Sequence, residues 1–294
     1  MSKKKLWISF SGGRTSAYMT KWLLDNKKDE YDMFVVFSNT GEENEATLQF
    51  VHDCDRYLGF NTTWLEAEVD PQPRKGTKAM VVTFETASRK GEPYEDVIRK
   101  YGIPNQSHPM CTRELKLQPM RWYIKNVLGW HGDDVYCAVG IRNDETRRIS
   151  KDKDKNHLIY PLIEWHPCDK QDVNDWWEGQ PFNLQLKEHQ GNCKWCWKKS
   201  NGKLFMVMDE NKHYFDFPKK MEELYKNTRA PYGERVFFRG NRSTEDMFAL
   251  YEETWVKAGK VGSHAYKVND KDADSGCSES CEIDFDQLLT AEDQ

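Results

Sequence analysis

The chain opens on a short apolar run, Leu6, Trp7, Ile8 and Phe10, that stops at two glycines and a string of hydroxyl residues. Bulky side chains in an uninterrupted run bounded by turn residues predict a buried strand. Over 17–24 the apolar positions change to helical spacing, with Tyr18, Met19, Trp22 and Leu23 on one side. The same alternation then repeats. It predicts a strand over 33–37, a helix over 45–58 stopped by Gly59, and a strand over 62–69 in which Glu66 and Glu68 suggest one solvated face. Strands alternating with helices in this way predict an α/β fold, a parallel sheet with crossover helices.

Residues 71–109 break the rhythm with prolines, glycines and charges around helix-like pieces at 80–87 and 94–101, an excursion placed to cover a crevice. A helix to residue 128, a strand over 134–139, a basic loop over 151–156 and a last strand over 158–163 follow. Pro161 puts that last strand at a sheet edge. A helix over 172–177 ends at Gly179 and Pro181, where a soft boundary separates residues 1–179 from a smaller, mainly helical and cysteine-bearing region, 180–294. Helices are expected there over 221–226 and over 244–257, the latter with Ser243 as N-cap.

Composition adds three constraints. No apolar stretch reaches the length of a membrane span and no export signal is apparent, so a cytoplasmic protein without a membrane partner is expected. The formal net charge of -5 is uneven: residues 269–294 hold nine acidic residues and one lysine, leaving the preceding body slightly basic and nucleic acid open as a partner. Eight cysteines in such a chain favour metal or redox chemistry over a disulfide framework. Cys54 and Cys137 fall on apolar faces as packing residues, and Cys168 is a bystander to the rest.

The candidate chemistry begins where the first strand ends. Gly12 and Gly13 let the backbone approach a ligand, while Ser9, Ser11, Thr15, Ser16 and the free N–H groups of the following helix supply donors to an anion, with Arg14 as a cation. Ser38, Thr40 and Gly41 close the second strand at the same sheet end. Gly140, Arg142, Arg147 and Arg148 follow the strand over 134–139, and guanidinium forks suit phosphate or sulfate. Cys193 and Cys196 form a CxxC loop able to hold a metal ion or one side of a cluster, and a structural zinc fits that spacing as well.

The stretch SFSGGRTSAYM resembles the PP-loop of the adenine nucleotide alpha hydrolase-like superfamily, in the form it takes in the phosphoadenosine phosphosulfate reductase family; Thr15 stands where the common pattern has an acidic residue. Thr40-Gly41-Glu42, the CTRELK segment with Cys111 and Lys116, and GIRNDETRR over 140–148 resemble further segments of that family. The resemblance implies a Rossmann-like nucleotide-binding domain. It also implies a 4Fe-4S cluster on Cys111, Cys193, Cys196 and a tail cysteine, Cys277 or Cys281, with a tail thiol (Cys281 or Cys277) attacking sulfur. The nucleotide would be phosphoadenosine phosphosulfate, adenylyl sulfate or ATP, with magnesium an option and a thiol reductant such as thioredoxin completing a reductase cycle. Two other readings stand beside it: an ATP-dependent iron–sulfur sulfurtransferase acting on DNA or tRNA, and a nucleotide-binding regulator with structural zinc.

Overall fold

The computed structural model describes residues 3–262. Six strands form one sheet: β1 (Lys4–Ser9), β2 (Tyr31–Ser38), β3 (Thr63–Val69), β4 (Thr77–Val82), β5 (Val135–Ala138) and β6 (Leu158–Ile159), in the order β4-β3-β2-β1-β5-β6. All neighbours are parallel except β3 and β4, which run antiparallel in a continuous register from Trp64↔Val82 to Val69↔Thr77. The chain builds outward from β1 in one direction and, after β4, resumes on its other side with β5. That reversal opens a crevice beyond the carboxyl ends of β1 and β5, the place where such sheets take ligands.

Alternation along β1 explains the two layers packed on the sheet. Leu6 and Ile8, fully buried, share a core with Ala17, Met19 and Leu23 of α1 (Arg14–Asn26) and Leu48 and Val51 of α2 (Glu45–Leu58). Trp7 points the other way, with Val36, Cys137 and the Met120 and Ile124 side chains of α4 (Gln118–Asn126). The bounds of α2 are those expected from sequence. Asn44 caps it by accepting from the Ala46 N–H, and Gly59 ends it in the left-handed region at φ 69°.

A third core joins α3 (Glu92–Tyr101) to the C-terminal helices α7 (Asn201–Glu210), α8 (Asp216–Tyr225) and α9 (Thr244–Tyr251). Tyr94 and Ile98 meet Trp195, Phe205, Phe215 and Phe237 there. Ser243 caps α9 as expected, its Oγ accepting from the Asp246 N–H. Between the two parts, α5 (Pro161–Glu164) and α6 (Lys170–Glu178) pack against α1, where Trp177 is buried.

Three expectations are corrected, and one element was not expected. Residues 80–87 do not form a helix: Thr77–Val82 is the antiparallel edge strand, and Met80 and Val81 remain 47 and 57% exposed on it. Glu66 does not face solvent; it is buried, accepting from Asn39 Nδ2 and from the backbone N–H and Oγ of Ser88. The last strand stops at Ile159 because Pro161, with no N–H to give a ladder, starts α5 instead. Helix α7 had no counterpart in the sequence reading.

Candidate functional site

The Gly12-Gly13 turn is shaped by backbone demands before any ligand enters. Gly12 sits at φ +77°, and a Cβ there would lie 2.7 Å from Thr47 Cγ2. Gly13 precedes α1 in an extended conformation and supplies no side-chain cap, and no acidic residue stands in the first turn, so the helix end presents its positive pole to the crevice. Ser16 holds the loop closed: its Oγ is 2.9 Å from Ser11 Oγ, accepts from the Ser11 N–H and donates to the Gly13 carbonyl. The β5 end comes so close that a Cβ on Gly140 would be 3.1 Å from Ser16 Cα.

Guanidinium groups close the ring. Arg142 Nη1 donates to Thr15 Oγ1 at 3.1 Å, at the very position where the common loop pattern carries an acid, while its other nitrogens hold Asp144. Glu145, buried at 3% side-chain exposure, pairs with both Arg142 and Arg148. Arg14 turns toward the segment after α6, donating to Asn183 Oδ1 and to the Leu184 carbonyl, and burial pushes its pKa below the usual value. The result is a cleft of about 210 Å³ lined by the Gly-rich loop, by Glu43, Thr47, Arg142 and Arg148, and by the apolar side chains of Leu184 and Leu186.

The residues proposed from sequence fall into distinct places. Ser11, Gly12, Gly13, Arg14, Thr15, Ser16 and Arg142 line this cleft. Arg148 lines it too, whereas Arg147 is exposed and lies outside the lining. Ser9 ends β1, half-buried, outside the lining. Ser38 donates to the Leu115 carbonyl, and Gly41 packs its backbone against Gly91 at the start of α3. Thr40 and Lys116 line a second, smaller pocket of about 20 Å³ beside the first, together with Cys111, Cys193 and Cys196. Asn192 lines both.

The turn after β2 and the CxxC loop are clamped together. The Lys194 N–H donates to the Glu42 carbonyl, Trp195 Nε1 donates to Glu42 Oε2 at 2.6 Å, and Cys193 Sγ lies 3.5 Å from Thr40 Oγ1. Burial raises the Glu42 pKa to about 7, against the opposing pull of Lys194 and of the Trp195 hydrogen bond. From the other side Lys199, fully buried, donates to the carbonyls of Cys193 and Lys194. Sequence reasoning missed this lysine as a structural element, as it missed Glu43 and Asn192. The two tryptophans of the run, Trp195 and Trp197, are buried with Lys199, while Lys194 and Lys198 stay half-buried.

Three thiols therefore share one pocket, with the buried Tyr94 phenol beside them pushed up by burial first and by Cys111, Cys193 and Cys196 next. Among the described residues no group of three or more His, Cys, Asp or Glu is arranged to hold a metal ion. Cys277 and Cys281, expected as a further ligand and as the attacking thiol, lie outside the described residues. The described donors alone do not complete a four-cysteine site. Cys54, Cys137 and Cys168 are buried away from it, and burial raises the pKa of each thiol.

Comparison with known proteins adds the following. A family model described as the phosphoadenosine phosphosulfate reductase domain matches residues 5–178, from the start of β1 through the end of α6. A nin region protein of Escherichia phage lambda, itself uncharacterized, is 33% identical over 291 residues, covering 96% of each chain. An uncharacterized protein of Methanocaldococcus jannaschii is 27% identical over 242 residues, covering 79% of this chain but 43% of its own length. No helix among the described residues is long and apolar enough to cross a membrane.

Proposed function

The chain belongs to the phosphoadenosine phosphosulfate reductase family, and from that premise we propose that it is an enzyme of sulfur metabolism that binds an adenine nucleotide, a phosphosulfate in the first place, in the cleft beyond β1 and β5. One observation carries this reading: the Gly-rich loop at the α1 N-terminus, Arg142 and Arg148 line one cleft of nucleotide-phosphate chemistry. Backbone N–H groups and the helix pole receive the anion without reorganisation, and a guanidinium fork adds charge-assisted bonds to phosphate or sulfate oxygens. Leu184 and Leu186 supply an apolar surface for the base. Thr15 favours a sulfonucleotide over the ATP of the common pattern, because the loop itself carries no acid for a metal chelate.

The cysteine pocket adjoins the cleft through Asn192, so a thiol chemistry next to the bound anion is within reach of this arrangement. If an iron–sulfur cluster is bound, Cys111, Cys193 and Cys196 are the described residues that would hold it, and it would supply electrostatic stabilisation of sulfur or electron transfer. In the same reading, the thiolate of Cys281 or Cys277 attacks the sulfur of the phosphosulfate, forming an S–S bond as the sulfur–oxygen bond to the nucleotide phosphate breaks and the nucleotide leaves, and a dithiol reductant then displaces sulfite and itself becomes a disulfide.

The test is equilibrium binding by calorimetry to adenylyl sulfate, phosphoadenosine phosphosulfate, ATP and their guanine counterparts. Saturable binding of the adenine sulfonucleotides, weakened at least about tenfold in Arg142→Ala, which removes a charge-assisted contact of ~1.5–3 kcal/mol, is the expected result. Equal binding of guanine nucleotides, or none of either, would refute it.

A further inference from the structure

A second hollow, of about 340 Å³, opens at the other end of the sheet from the Gly-rich loop. Val135, which starts β5, lines it, whereas the nucleotide cleft lies past Ala138, where β5 ends. Arg121, Ile124 and Lys125 line it from one face of α4, being three and four positions apart. Trp130 and His131 come from the segment between α4 and β5, and Asn156 from the loop before β6. Neither the nucleotide cleft nor the cysteine pocket uses any of these residues.

Two properties of this hollow define what it can hold. The first is charge: its lining carries two permanent cations, Arg121 and Lys125, and the His131 imidazole, but no carboxylate. Asp133 and Asp134 follow in the chain without lining it. The second is a group of half-buried aromatic side chains packed on the core around Trp7 and Ile124. Tyr123 stacks on Phe34 with ring centroids 5.6 Å apart, Phe34 meets Trp130 edge to face at 6.2 Å, and Lys5 Nζ lies 5.3 Å from the Trp130 centroid. Partly exposed rings gathered beside cations mark an interaction surface rather than a core.

A small inorganic anion would match the charge and leave the rings unused. Single-stranded nucleic acid matches both, because it alternates phosphates, which take charge-assisted bonds from Arg and Lys, with unpaired bases that stack on aromatic side chains. In a duplex those base faces are already covered. We propose that this hollow binds single-stranded nucleic acid, with Arg121 and Lys125 on phosphates and a base against Trp130. Lys155, exposed and next to Asn156 in the chain, adds a cation beyond the hollow, so an oligonucleotide gains phosphate contacts that a mononucleotide lacks.

The test is fluorescence anisotropy of a labelled oligonucleotide of about twelve thymidines, titrated with the full chain over a range of salt concentrations. Saturable binding that weakens as salt rises is expected. Lys125→Glu reverses an exposed charge outside the core, so it should fold, bind at least about fivefold more weakly, and flatten the slope of log K against log salt by roughly one. Trp130→Ala should weaken binding about five- to a hundredfold. Should Trp130→Ala fail to give a cooperative melt, Lys125→Glu carries the comparison. Arg142→Ala, which alters the nucleotide cleft instead, should bind the oligonucleotide as wild type does. Absence of binding, a Lys125→Glu protein equal to wild type in affinity and slope, or an equal loss in Arg142→Ala overturns the proposal. Competition by thymidine monophosphate or by the matching duplex as effective as that of unlabelled oligonucleotide overturns it too, and assigns the hollow to a free nucleotide or to paired nucleic acid.

Discussion

Adjacent glycines with opposite requirements give the sharpest prediction about the loop. Gly12 holds φ at +77°, where a side chain costs ~1–2 kcal/mol of backbone strain. A Cβ there would also stand 2.7 Å from Thr47 Cγ2, 3.2 Å from Val51 Cγ2 and 3.3 Å from Phe37 Cε2. These are two β-branched side chains with few alternative rotamers and one buried ring, so relief must come from moving α2 or the loop, at ~1–3 kcal/mol. Gly12→Ala should therefore lose roughly 2–5 kcal/mol. With an unfolding entropy of about 2.1 cal/mol/K per residue over 294 residues, that is a fall in Tm of roughly 3–8 °C. Gly13 has an extended backbone, and its Cβ would meet nothing closer than Ser11 Oγ at 3.7 Å, so Gly13→Ala should stay within about 1 kcal/mol of wild type. Urea denaturation and thermal melts of the two variants, read side by side, check this. Equal effects, or a Gly12→Ala protein as stable as wild type, would refute the assigned loop geometry.

Other outcomes follow from the same coordinates. Glu42 has its folded pKa raised to about 7 from an ordinary 4.5, chiefly by burial, so the folded chain holds a proton that the unfolded chain releases. Its contribution to stability therefore falls as pH rises from 4.5 to about 7, by up to roughly 3 kcal/mol, and Glu42→Gln should remove that part of the slope in urea titrations at each pH. A variant with the same pH slope as wild type would count against the burial assigned to the Glu42 carboxyl. Mass-spectrometric mapping after brief alkylation at pH 8 should find Cys111, Cys193 and Cys196 modified well before Cys54, Cys137 and Cys168, whose thiols burial holds protonated, Cys168 at about 12. Rapid labelling of Cys137 would contradict its place under α4. Gly91→Ala places a Cβ 2.2 Å from the Phe217 ring at φ +80°, so it should destabilise the packing of α3 on α8 and shift the melt downward more than Gly59→Ala, where no atom lies within 4 Å.

The sheet and its ligand end were legible because local signals agreed. Residues 6–10 are short, bulky and punctuated by glycine, and α2 carries both a cap at Asn44 and a stop at Gly59, so period and punctuation predicted the same bounds. Where tertiary burial overrides the local pattern, reading from sequence fails. Glu66 looks like a solvated position but is buried by Asn39 and Ser88, residues 27 and 22 positions away. Strand β4 exposes Met80 and Val81, which blurs its alternation. Helix α7 contains Leu204, Phe205, Val207 and Met208 buried nearly all round, so no polar face marked it, and even Lys203 is inside. At the site, the loop and Arg142 were readable from their strand ends, whereas the places of Leu184, Asn192 and Glu43 in the lining arise from contacts between distant segments. The meeting of Cys111 with Cys193 and Cys196 in one pocket was accessible only through family resemblance, since more than eighty residues separate Cys111 from the CxxC loop and no period connects them.

The most direct test of the proposed ligand position is hydrogen exchange, followed by mass spectrometry, with and without saturating adenylyl sulfate. Amides over residues 11–20 and 142–148 should exchange more slowly in the bound protein, with little change along β4 or at the opposite sheet end around Trp130. Saturable binding with protection elsewhere, and none at the Gly-rich loop or at Arg142, would contradict the placement of the nucleotide beyond β1 and β5.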